Sequence, residues 1–532
     1  MNSTKSKRKS SVSRLPPTKL GGAARAPSRA SVASRLASPL ASSQWVWLGV
    51  VVVGFVAFFA RSGHEPLWLD EIYSFSMVQH SVTDIFRLTT TDVHPPLYYV
   101  LLRFTTRLFG DSVFALRLPS VVAATALVAL GAGPVRRLWN DKTAWVYVAL
   151  VLTSSGILCF AQETRMYALA ALCVTGAALY GHLAWRDGAR RDYVAFGLFT
   201  WAASLMHYFA LVAVGFNAVL LLAMAAFGSR ERLKPLATTT GLAAVGFLPW
   251  APFFFSQVAS VARGFWIPPT SFELVTFGLV APFAYKFEDV PYPWQAIAAL
   301  AAFAFVVRAA LVAQRREGVK TSASLQFLAV FGSTFGFGLV FSALIQPIFM
   351  PRYMIACSGV LFLVLAAAIA HWSTKLTVAA TALFVFLGVP AWWRIQTQTF
   401  NGPFTELAVE VRSATNPVLV HNPLPFSFVL QPALHAVPEA RHVVVVPSSS
   451  DYDATGGGLH VPPLPEPVEN LSALLDTAER LWFVDGIPGP DPLDTLAVES
   501  DPRWQKSGPD VTLVEPMSWV KLTLRKYERR NP

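Results

Sequence analysis

The chain has 532 residues, 54% of them hydrophobic and only 14% charged, with a formal net charge of +11. A soluble globular protein is typically about a quarter charged, so this composition excludes one and describes a polytopic membrane protein. The positive charge does not point to nucleic acid: Lys5, Lys7, Arg8, Lys9, Arg14, Lys19, Arg25, Arg29 and Arg35 precede the first apolar run with no acid among them, and the remainder is near neutral.

Residues 1–43, rich in Ser, Ala and Pro, read as a disordered basic tail. Its charge beside the first span is expected to hold the N-terminus in the cytoplasm. No small-residue cleavage site ends the apolar run, so no cleavable signal is expected. Apolar runs of bilayer-crossing length fall near 44–60, 113–135, 143–161, 166–185, 193–209, 210–228, 236–258, 293–313, 323–346, 353–371 and 374–391. The reading is therefore an α-helical polytopic membrane domain over 44–391 with about eleven transmembrane helices. Basic residues check the orientation: Arg136, Arg137 and Lys142, Arg186, Arg190 and Arg191, Arg230, Arg232 and Lys234, Arg315, Arg316 and Lys320, and Lys375 all fall in the inner loops. An odd count of spans places everything after 391 outside. Cys159, Cys173 and Cys357 lie in or beside apolar runs without metal or disulfide spacing, and are expected to pack in the core.

The first outer loop, 61–112, is too long for a simple connection. Adjacent carboxylates Asp70 and Glu71 open it, and His94-Pro95-Pro96 lies about 24 residues on. Ser81 and Asp84 have the spacing of a helix cap opening a short helix through Leu88. Pro95 suits the first position of another helix. There Leu97, Leu101, Phe104 and Leu108 share one face, with Tyr99, Arg103 and Thr106 facing away, the pattern of a helix lying in the membrane interface. The aromatic segment 259–292, with Lys286 near its end, reads as a second outer loop.

Residues 392–532 read as an extracytoplasmic soluble domain with a small α/β layer. Phe404, Leu407, Ala408 and Val411 have helical spacing, and strands are expected at 417–421, 442–446, 481–484 and 511–515. Asp451-Tyr452-Asp453 matches the short acidic motif of soluble sugar transferases, but a tripeptide in a Gly-rich loop carries little weight.

Ionisable groups in or beside spans are costly and count as functional candidates. Besides Asp70, Glu71 and His94, these are Glu163 and Arg165, His207 and Tyr208, Lys286, and Arg352 and Tyr353. All map to the outer ends of spans, which suggests a reaction centre on one membrane face. A lipid or sugar transporter is the rival; it places acids mid-span in broken helices. A catalytically inactive scaffold is a third reading.

The runs WLDE (68–71), DVHPPLYY (92–99), AQETRMYAL (161–169), MHYFAL (206–211) and PRYM (351–354) resemble the polytopic C-type glycosyltransferases. The nearest group is the protein O-mannosyltransferase and aminoarabinose-transferase superfamily, in its bacterial mannosyltransferase-like branch. The resemblance covers roughly 44–391. It implies an inverting transfer of a sugar from a polyprenyl-phosphate donor to an acceptor protein, glycolipid or polysaccharide at the outer face of the plasma membrane. Asp70 would be the general base and Glu71 its partner, with His94, Arg165 and Arg352 at the phosphate. Tyr98, Glu163, Tyr167, His207, Tyr208 and Tyr353 would complete the substrate site. A divalent metal occurs in parts of the superfamily, and nothing in the sequence establishes one.

Overall fold

Each of the eleven predicted spans is a helix or a bent pair of helices in the computed structural model. The structure describes residues 39–65, 67–265, 267–283, 285, 292–317, 322–397, 418–421, 441–444, 475–487, 496–514 and 521–530. Contacts divide the chain into two units, 1–49 and 50–532. Of the first, only the start of helix α1 (Pro39–Phe59) is described.

The outer loop forms three helices, α2 (Leu69–Val78), α3 (Val82–Thr89) and α4 (Leu97–Phe109). Ser81 caps α3 as its spacing predicts, its hydroxyl accepting from the Asp84 amide at 3.1 Å. Helix α4 starts two residues later than predicted. A residue before proline is disfavoured in the helical region, so Pro95 cannot begin a helix that runs through Pro96. Leu101, Phe104 and Leu108 are exposed on one face of α4, while Tyr98, Tyr99 and Leu102 are buried on the other. The second face packs on protein: Tyr99 sets its ring edge-on to Tyr73, and Arg103 Nη1 donates to the Val78 carbonyl at 2.6 Å.

Helix α5 (Val113–Leu130) continues through a π turn at Gly131–Val135. Then come α6 (Asp141–Thr153) and α7 (Ser155–Ala161), α8 (Tyr167–Asp187), α9 (Arg190–Ser204) and α10 (Tyr208–Gly228). The second half holds α11 (Arg230–Phe247) and α12 (Ala251–Val261), α13 (Phe272–Val280), α14 (Tyr292–Glu317) and α15 (Ala323–Leu344). A tight 3-10 turn, Pro351–Cys357, leads into α16 (Ser358–Ala370), and α17 (Thr374–Thr397) follows. Among the described residues, six helices are long and apolar enough to cross a membrane, or eight if each bent pair is one span.

The two bends have local causes. Between α6 and α7 the axis turns by 61°. Ser154 there leaves the helical region; its hydroxyl caps α7 at Ile157 N and donates to the Pro282 carbonyl. Between α11 and α12 it turns by 70° at Leu248-Pro249-Trp250, where proline removes an amide donor. Helix α13 lies within the segment read as a plain aromatic loop. Its signal is Ser271, which caps Leu274 N at 3.2 Å, with Glu273 in the first turn.

The core is built around α8 and the 351–370 segment, both buried along nearly their whole length. A Cβ at Gly359 would run into the Thr175 side chain, so glycine there lets the segment carrying Arg352 close on α8. Polar groups between helices satisfy one another. His182 Nδ1 meets Gln326 Oε1 at 2.7 Å, and Gln326 Nε2 donates to Asn217 Oδ1 at 2.7 Å. Cys159, Cys173 and Cys357 are buried and unbonded to one another.

The C-terminal sheet is mixed. Strand β1 (Val418–His421) pairs in parallel with β2 (Arg441–Val444) and with β3 (Arg480–Ile487). Antiparallel to β3 runs β6 (Lys521–Arg529), which also pairs with β4 (Trp504–Lys506) and β5 (Val511–Val514). Leu481, Phe483, Val498, Trp504 and Tyr527 form a small core there. The four predicted strands are present, whereas β4 and β6 were not foreseen. The helix expected at 404–411, Asp451-Tyr452-Asp453 and Lys286 lie outside the described residues.

Candidate active site

The segments that carry the predicted polar residues meet where several helices end. Helix α2 supplies Asp70 and Glu71, and the turn after α3 supplies Asp92 and His94. The α7–α8 connection brings Glu163 and Arg165, the start of α10 brings His207, and the 351–357 turn brings Arg352 and Tyr353.

Glu71 is fully buried, and four N–H groups hold its two oxygens. Arg117 of α5 binds it as a fork, Nε to Oε1 at 2.8 Å and Nη2 to Oε2 at 2.7 Å. Thr164 N donates to Oε1 at 2.6 Å, and Trp68 N to Oε2 at 3.2 Å. Arg117 Nη1 also reaches the carbonyls of Ser62 and Glu65. This bidentate pair ties the start of the outer loop to α5 and to the α7–α8 connection.

Asp70, one residue earlier, has a looser setting. Its Oδ2 lies 3.1 Å from Arg352 Nη1 and 3.9 Å from Arg165 Nε, and 23% of the side chain is exposed. Burial pushes this carboxyl up, but the guanidinium charges of Arg352 and then Arg165 outweigh it and hold its pKa below the ordinary value. Arg165, 3% exposed, donates through Nη1 to the Asp70 carbonyl at 3.2 Å and to Ser74 Oγ at 3.3 Å. Arg352 also lies over the Trp68 ring, 5.8 Å from its centroid.

His94 is held on both sides: Nδ1 is 3.3 Å from Asp92 Oδ2, and Nε2 is 3.3 Å from Arg165 Nη2. Asp92 also receives the Tyr99 hydroxyl at 3.4 Å.

An aromatic wall closes the site. His207 packs on Tyr353 at 4.9 Å and on Tyr167 at 5.6 Å, and its Nδ1 accepts from Phe209 N. Among the described residues, the buried Tyr167 hydroxyl has no hydrogen-bond partner. Glu163 is nearly buried, with the Cys159 thiol 3.8 Å from its Oε1. Tyr98 is fully buried, edge-on to Tyr99. Tyr208 turns elsewhere. Its hydroxyl bonds Gln257, whose amide clamps the carbonyls of Thr89 and Thr90. It therefore braces α12 against the outer loop rather than joining the group around Asp70.

Sequence reasoning missed two residues. Asp92 stands inside the DVHPPLYY run, two positions before His94. Arg117 is an arginine inside an apolar span, a signal by itself, and its partner is 46 residues away in sequence. Among the described residues, no group of three or more His, Cys, Asp or Glu is placed to hold a metal. Asp70 faces guanidinium groups and the Glu71 oxygens are occupied, so these donors do not suit a divalent cation.

A bundle of apolar helices with broken spans, an outer loop folded into helices and a small C-terminal sheet defines the class: a polytopic membrane protein with the C-type glycosyltransferase fold. The comparisons with known proteins agree. Residues 93–255 match the family model described as dolichyl-phosphate-mannose-protein mannosyltransferase. The fold is similar to that of ArnT from Cupriavidus metallidurans in the apo state, at 15% identity and TM-score 0.58, covering 91% of this chain and 98% of that one. It is equally similar to the same protein bound to undecaprenyl phosphate, at 14% identity and TM-score 0.58 with the same coverage. No curated protein matches the chain. The resemblance read from the motifs thus stands at the level of the fold.

Proposed function

We propose that the protein is an integral membrane glycosyltransferase that moves a sugar from a polyprenyl-phosphate donor to an acceptor hydroxyl, with inversion, at the outer face of the plasma membrane. One observation carries this reading: Asp70, Arg165 and Arg352, from three distant stretches, converge with the carboxylate between the two guanidinium groups. The similar structure with bound undecaprenyl phosphate supports a lipid-phosphate donor, and the match over 93–255 supports sugar transfer.

In this reading Arg352 and Arg165 take the donor phosphate and stabilise the charge that grows on it. The phosphate competes with Asp70 for those guanidinium groups, which weakens their hold on the carboxylate and raises its basicity. Asp70 then accepts the proton of the acceptor hydroxyl. The acceptor oxygen bonds to the anomeric carbon as the bond from that carbon to the phosphate oxygen breaks on the opposite face. The lipid phosphate leaves as a stable anion, so no general acid is needed. Glu71 acts through Arg117 as the residue that positions α2, and the wall of Tyr167, His207 and Tyr353 lies beside the sugar.

The proposed organisation is a cytoplasmic tail at 1–43, the catalytic membrane domain at 44–391 and an extracytoplasmic domain at 392–532. The transporter alternative requires acids at helix breaks; the breaks at Ser154 and at 248–250 carry none. The test is reconstitution of the purified protein with prenyl-phosphate sugars and hydroxyl acceptors, read by mass spectrometry of both products. Release of prenyl phosphate with an equal amount of glycosylated acceptor is the expected result. Movement of the intact lipid across the bilayer without transfer would refute the reading.

A further inference from the structure

We infer that Asp92 and His94 are positioning residues: His94 serves as a neutral hydrogen-bond acceptor that holds the Arg165 guanidinium, and not as a phosphate-binding cation. The inference rests on the lipid-phosphate reading above and changes the role that the motif resemblance gives His94.

The two contacts of the ring decide its protonation. A guanidinium nitrogen can only donate, so the Nε2 that meets Arg165 Nη2 at 3.3 Å must carry a lone pair. The ring proton then sits on Nδ1, facing Asp92 Oδ2 at 3.3 Å. Only this neutral tautomer satisfies both neighbours. Asp92, 7% exposed and also bonded by Tyr99, selects it. Arg165 is thereby held by the Asp70 carbonyl, Ser74 Oγ and His94, with Nε turned toward the Asp70 carboxylate. A cation at position 94 would set a donor against a donor and push Arg165 out of this seat.

The charge of the residue at 94 separates the two roles. Undecaprenyl phosphate is the probe, and its affinity is measured on the detergent-purified full chain. Glutamine offers an acceptor oxygen near the place of Nε2, so His94→Gln is expected to stay within about threefold of wild type, whereas His94→Lys weakens binding about tenfold or more through loss of an Arg165 contact. A second pair uses Asp92: Asp92→Asn keeps an oxygen for the Nδ1 proton and keeps affinity, while Asp92→Ala loses it. A purely structural role would not sort variants by acceptor chemistry in this way. If His94→Lys binds like wild type while His94→Gln binds weakly, His94 is a phosphate-binding cation and the inference falls alone. If wild type does not bind the probe, the lipid-phosphate reading falls and takes the inference with it.

Discussion

Around Glu71 four N–H donors converge on a carboxylate with no exposed surface; around Asp70 one guanidinium stands at 3.1 Å, another at 3.9 Å, and 23% of the side chain is open. The two acids are adjacent in sequence and differ in what they have left to offer. A carboxylate whose lone pairs are all engaged can position a neighbour but cannot take up a proton without breaking a buried pair. One held by charge at longer range stays ionised and within reach of a substrate. The Arg137–Asp192 pair repeats the Glu71 pattern, joining the connection between α5 and α6 to the first turn of α9. Asp192 is fully buried and Arg137 grips it at 2.8 and 2.7 Å.

Substitutions break this comparison in different places. The largest effect is expected at Asp70. Asp70→Asn keeps size and removes the proton acceptor, so single-turnover transfer should fall by about 10²–10⁴ while prenyl-phosphate affinity is retained; rapid-quench assays check it. Arg117→Ala strands the Glu71 carboxylate in the interior and should cost about 3–5 kcal/mol of stability, read as a lowered unfolding temperature in detergent. Arg352→Ala removes a charge-assisted contact and should weaken donor binding by roughly 10–100-fold with the fold intact. The smallest effect is expected at Arg103→Ala, which loses the bond to the Val78 carbonyl and should cost about 1 kcal/mol.

The pH dependence sharpens the comparison further. Because the folded-state pKa of Asp70 is depressed, its ionised form adds stability that is fully present above the ordinary carboxylate pKa, about 3.9, and is lost as pH falls through the lower folded value. Between about pH 5 and 8 this contribution is full and constant, so Asp70 should add no pH dependence to the unfolding temperature there. Below pH 4, by the same reasoning, Asp70→Asn should flatten about this part of the acid loss.

How much of this was legible follows from the range of each signal. Apolar runs are local, so each of the eleven segments is legible, although the split between α9 and α10, read at 209/210, falls at residues 205–207. Ser81 and its cap were legible for the same reason. Strand β6 was missed because five of its nine residues are Lys, Arg or Glu, a composition unlike a buried run, although it pairs with three other strands. Helix α4 begins at Leu97 and not at Pro95, because the preference for proline at a helix start holds for a single proline and not for a Pro-Pro pair. In the site, single residues at span ends could be named from cost alone, and the structure brings Asp70, His94, Arg165 and Arg352 together. Pairings could not be named. That Arg117 belongs to Glu71, and that Tyr208 belongs to Gln257, are facts of packing between segments 46 and 49 residues apart.

The division of labour between the adjacent acids is tested most directly by preparing Asp70→Asn and Glu71→Gln side by side and measuring unfolding temperature and single-turnover rate on each. The account predicts that Asp70→Asn stays folded, losing no more than the stability its ionised carboxylate adds, and has lost transfer, whereas Glu71→Gln unfolds well below the wild-type temperature and transfers in proportion to the folded fraction. A Glu71→Gln protein of wild-type stability without transfer, beside an Asp70→Asn protein that still turns over, would contradict it.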